Sequence, residues 1–139
     1  MVDIYLVIAS ILGALGTFLL HQKLKDVVLA SALLSLCVAL AFYLFPTTLS
    51  FFPIKAPEAF FGASFAGMVS LDRIKSWKWV VLAGLIFGLI YINSSKFFTG
   101  YGGGLGTIAC LSIIMTIGIM MLIKAMHPRS KMNYKSFLI

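Results

Sequence analysis

Along this chain, long apolar runs alternate with short polar connections. Residues 4–20, 27–45 and 105–123 are almost wholly apolar. Each is close to the roughly 20 residues that an α-helix needs to cross a bilayer. Two further runs, 58–71 and 79–93, are shorter. A helix of about 15 residues reaches only about 22 Å at about 1.5 Å per residue. These two are expected to extend through their flanks, to thin the bilayer locally, or to be re-entrant. The pattern predicts an all-α integral membrane protein. Its single domain, 1–139, is a bundle of about five transmembrane segments, the third and fourth short or re-entrant, followed by a basic tail over 124–139.

Composition strengthens this reading. The chain is 61% hydrophobic and 11% charged, with a mean hydropathy of +1.06. Soluble domains carry about 25% charge. So few charged residues cannot cover so much apolar surface, and lipid is the expected solvent for much of it.

The net charge of +7 does not point to nucleic acid. Lys and Arg fall in the short breaks between apolar runs, where they set membrane orientation rather than follow a phosphate backbone. If the first connection faces the cytoplasm, nine of the eleven basic residues share its side: Lys23, Lys25, Arg73, Lys75, Lys78, Lys124, Arg129, Lys131 and Lys135. Lys55 and Lys96 remain outside. The expected topology in the cell membrane is five crossings, with the N-terminus outside and the C-terminus cytoplasmic. The opening run has no basic residues before it, so it is read as a retained span rather than a cleaved signal.

Small residues recur one turn apart in nearly every run. In lipid, such residues let helices approach closely. The expected packing positions are Gly13 in the first run, Ser31 and Ser35 in the second, and Ala63 and Gly67 in the third. Gly84 and Gly88, a literal GxxxG, serve the fourth, and Ala109 and Ser112 the last. Packing within one chain is favoured for Gly84 and Gly88, with self-association as the other use of such a face. Ser and Thr hydroxyls are expected mainly to bond to the carbonyls of the preceding turn.

The stretch Thr99, Gly100, Tyr101, Gly102, Gly103, Gly104 leads into Leu105, Gly106 and Thr107. It lacks one residue of the potassium-filter pattern T-V-G-Y-G, and the segment before it starts on the wrong side. No Lys follows the glycines, so it is not a phosphate loop. The primary expectation is an outer turn over Gly100–Gly104, with Gly106 allowing close packing of the last helix. The functional alternative is a solute site built from Glu58, Ser64, Thr99–Gly104 and Thr107. Irregular backbone at membrane depth persists only when buried in protein or lining a wet cavity. A faint echo supports this grouping: Phe60-Phe61 and Phe97-Phe98 each precede a cluster of small residues.

Among the four acids, Asp26 and Asp72 sit in basic connections, and Asp3 opens the first helix. Glu58, directly after Pro57, suits either a helix N-terminus or a cation site at an outer vestibule. No ionisable residue lies mid-run, so a proton relay is poorly supported. His21 and His127 flank helix ends and are read as interfacial. Cys37 and Cys110 are read as small hydrophobes. No catalytic constellation, metal site or cofactor motif is apparent, and a non-enzymatic role is expected. The leading expectation is a small transport protein or channel subunit for a small solute or ion, working in the lipid bilayer and oligomeric. The alternative is an accessory or scaffold subunit that binds other membrane proteins.

Overall fold

A computed structural model describes residues 2–45, 53, 55–69, 76–94 and 102–126. Its five α-helices are α1 (Val2–Leu24), α2 (Val27–Leu44), α3 (Ala56–Gly67), α4 (Trp77–Ser94) and α5 (Gly102–Met126). There is no strand among the described residues. Four helices, α1, α2, α4 and α5, are long and apolar enough to cross a membrane.

Several boundaries differ from expectation: α1 runs on past residue 20 to Leu24, and α3 ends at Gly67 rather than at residue 71. The fourth segment is not short: α4 has 18 residues and reaches a spanning length. It extends through Trp77 and Lys78 at one end and Ser94 at the other, and the Asn93 amide donates to the Leu89 carbonyl over 2.8 Å. Gly102, Gly103 and Gly104 belong to the first turn of α5 rather than to an outer turn. Glycine's low helix propensity hides this start from a sequence reading.

The third segment is short. With 12 residues, α3 is about 18 Å long, well under the roughly 30 Å hydrocarbon thickness. Pro57 occupies its first turn, where no backbone N–H is needed and the fixed φ suits a helix start. Glu58 adds an acidic charge beside the positive end of the helix dipole. The helix ends at Gly67, and the Met68 N–H turns back to the Phe65 carbonyl at 3.2 Å.

This half-length helix is the centre of the bundle. It packs against α1, α2, α4 and α5, while α5 otherwise meets only α4, and α2 otherwise meets only α1. Seven of its twelve residues are buried, all of them Ala, Gly or Ser. Such a surface lets four neighbours approach closely.

Glycine contacts fix the helix directions. A Cβ on Gly13 would lie 2.5 Å from the Phe60 carbonyl oxygen, and one on Gly67 would strike Ala14 and Thr17. Residue numbers rise together, so α1 and α3 run the same way. A Cβ on Gly84 would meet Ile11 and Ser10, and one on Gly88 would meet Val7. Those numbers run oppositely, so α4 is antiparallel to α1. The connection from α1 to α2 is the pair Lys25 and Asp26. Lys25 adopts φ 59°, and its N–H closes on the His21 carbonyl at 2.9 Å, a left-handed cap usually made by glycine.

The buried apolar residues form two clusters. One joins Leu6, Ala59, Ala63, Phe87, Tyr91 and Ile108; the other joins Ala14, Phe18, Val80 and Met120. The outward faces of α2 and α5 carry exposed Leu33, Leu36, Leu40, Leu111, Ile114 and Leu122, as expected of surfaces solvated by lipid.

Candidate functional site

Polar groups collect around α3. At its N-terminal end, Glu58 is exposed, and its carboxylate accepts a hydrogen bond from the Tyr91 hydroxyl of α4. The Tyr91 ring is buried and stacks on Phe87 with centroids 6.1 Å apart. The phenol therefore reaches out of the apolar core to a carboxylate at the rim. A carboxylate held this way presents its remaining lone pairs to solvent and suits attraction of a cation or a hydrogen-bond donor.

In the last third of α3, Ser64 is fully buried. Its hydroxyl lies 2.8 Å from that of Ser31 and accepts from Ser35 at 3.2 Å. Ser64 itself donates to the Phe61 carbonyl at 2.7 Å. Three hydroxyls thus join α2 to α3 inside the bundle.

Beside the C-terminal end of α3, Thr17 and His21 project from one face of α1. Both are buried, at 0% and 8% exposure. Among the described residues, the Thr17 Oγ1 and the His21 Nδ1 have no hydrogen-bond partner. His21, in the last turn of α1, is buried by the packing of the bundle around it.

The grouping expected for a solute site is only partly assembled. Thr99, Gly100 and Tyr101 lie outside the described residues. Gly102 opens α5, Gly103 is exposed, and Gly104 is buried. Thr107 is exposed and donates to the Gly104 carbonyl at 2.8 Å. Ser64 faces α2, which does not contact α5, so Ser64 and Thr107 are not brought together. Gly62 does meet α5: a Cβ there would lie 2.9 Å from the Leu105 side chain.

The packing positions fall as follows. Gly13 and Gly67 face the α1–α3 contact, and Gly84 and Gly88 face α1 within the same chain. Ala63 and Ala109 share one core cluster. Ser112 is buried and donates to the Ala109 carbonyl at 2.7 Å. Ser31 and Ser35 act as polar partners of Ser64 as well as small residues. Gly106, expected to allow close packing, has no heavy atom within 4 Å of its Cβ position, and neither do Gly103 or Gly118.

Tyr91, Thr17 and His21 were not among the expected site residues. The i, i+4 spacing of Thr17 and His21 signals a shared face, but only the tertiary packing shows that the face points inward. Among the described residues, no group of three or more His, Cys, Asp or Glu side chains could hold a metal ion. No family model, curated protein or solved structure matches this chain.

Proposed function

We propose that this chain is a small, non-catalytic membrane transport protein or channel subunit that passes a small solute or ion alongside α3. One observation carries the reading. A half-length helix is enclosed by four helices of spanning length, with polar side chains at its start and along its last third. Short segments of this kind, buried among full spans, are where transporters place their binding sites. Glu58 and Tyr91 form the mouth, and Ser64 with Ser31 and Ser35 a polar group nearer the far end of α3. The proposed orientation puts Glu58 on the outer side, with the N-terminus outside and the basic tail cytoplasmic.

Flux through reconstituted liposomes tests this. The wild-type chain should move a small cation or polar solute from a panel. Glu58→Gln should slow cation flux several-fold while leaving the protein folded. No flux of any solute across the panel would discard the reading.

A second reading has its own support. Gly103, Gly106 and Gly118 leave one face of α5 open, with Cys110 exposed on the same face. This face fits close approach of another membrane helix, as an accessory subunit or oligomer would need. Oxidative cross-linking through Cys110, but not Cys37, would favour it.

A further inference from the structure

Hydroxyls in the buried helices of this chain usually bond to their own preceding turn. Ser10 donates to the Leu6 carbonyl at 2.9 Å, and Thr116 donates to the Ser112 carbonyl at 2.7 Å. Thr17, fully buried in α1, does not: among the described residues its Oγ1 is without a partner. One turn later the His21 Nδ1 is also buried and, among the described residues, without a partner. Two orphaned polar atoms on one face are costly in an apolar setting. That setting is apolar here, with Phe18, Val80 and Met120 clustered beside Ala14.

Thr17 places the pair beside the end of α3. Thr17 lies against Gly67, the last residue of α3, where a Cβ would come within 2.9 Å of the Thr17 Cβ. There α3 stops, while α1 runs on through His21 to Leu24. The terminal carbonyls of α3 give this end a partial negative charge. Side chains at i and i+4 are about 5–6 Å apart at Cβ, a separation that one small molecule bridges with two hydrogen bonds.

We propose that Thr17 and His21 form a binding site for a small hydrogen-bonding guest, held by water in the resting protein, at the C-terminal end of α3. The hydroxyl and the imidazole nitrogen supply two of the two to four polar partners that a buried water needs. This site does not depend on transport by the chain.

Water-edited solid-state NMR of the full chain in lipid bilayers tests it. Magnetisation from water should reach the Thr17 side chain several-fold faster than Phe18 and Ala14, which are equally buried. Thr17→Val should slow transfer to the His21 ring, and Thr17→Ser, which keeps the hydroxyl, should restore it. Transfer to Thr17 in the wild-type chain at the rate of Phe18 would overturn the site. That comparison decides the matter even if Thr17→Val does not fold.

Discussion

The hydroxyl oxygens of Ser31 and Ser64 lie 2.8 Å apart across the contact between α2 and α3. Ser64 has one proton, and it goes to the Phe61 carbonyl. Ser31 is therefore the donor of the pair, and Ser64 accepts from both Ser31 and Ser35. A hydroxyl can give one hydrogen bond and take two, so Ser64 is saturated. The centre of this polar cluster is on the short helix, and its two donors are on α2.

That asymmetry predicts unequal losses. Ser64→Ala removes the shared acceptor and strands two donors. Ser31→Ala or Ser35→Ala removes one donor each. Interhelical hydrogen bonds in membranes average about 0.6 kcal/mol and reach about 1.7 kcal/mol. Ser64→Ala should cost about 1–2 kcal/mol and each single α2 change about 0.5 kcal/mol, because orphaned serines can fall back on their own preceding carbonyls. Denaturation in mixed detergent micelles measures both, and equal losses would refute the assignment of donors.

The glycines should divide sharply by position. At Gly13 an added Cβ meets the Phe60 carbonyl oxygen and carbon, which are backbone atoms and cannot rotate away. Gly13→Ala should therefore destabilise the bundle by more than about 2 kcal/mol, as overpacking against backbone does. Gly106 has open space around it. Gly106→Ala should leave the fold intact and stabilise α5 by up to about 1 kcal/mol through helix propensity. Thermal melting of the two variants beside wild type checks the contrast.

Much of this architecture is legible in the run lengths, and the departures have physical causes. The extent of α2 follows its apolar run because a lipid-length apolar segment has few other options, while α1 runs on past residue 20 to Leu24. The shortness of α3 follows from Pro57 near its start and Gly67 at its end. The helical start of α5 is not legible, because a run of glycines reads as a turn until tertiary contacts hold it. Gly62 facing Leu105 is one such contact. Nor is the central place of α3 legible, since run length says nothing about which helix the others surround. For the site, Glu58 is visible as an acid after a proline, but its partner Tyr91 lies 33 residues away on another helix. Burial of His21 depends entirely on what packs around α1.

Lys25 offers a test of the α1–α2 hairpin. Its left-handed φ of 59° costs an L-residue roughly 1–2 kcal/mol relative to glycine. Lys25→Gly removes that strain but adds unfolded-state entropy. The net expectation is a gain of about 0.5–1 kcal/mol in unfolding free energy, read in detergent at fixed ionic strength. A loss would show that the Lys25 side chain has a stabilising role that outweighs the backbone cost.

Orientation is testable at three exposed lysines. Lys55 precedes α3, Lys23 lies in the last turn of α1, and Lys78 lies in the first turn of α4. Because α1 and α3 run the same way and α4 runs against them, the C-terminal end of α1 and the start of α4 share one side. Lys55, at the start of α3, belongs to the other. The proposed orientation puts Lys23 and Lys78 in the cytoplasm. Single cysteines at these three positions, in a chain with Cys37 and Cys110 replaced by serine, should separate cleanly. Lys55→Cys should react with a membrane-impermeant maleimide on intact cells, and Lys23→Cys and Lys78→Cys only after permeabilisation. The reverse pattern would keep the fold and invert the topology. Lys23→Cys and Lys78→Cys labelling from opposite sides would contradict the antiparallel packing of α1 and α4 itself.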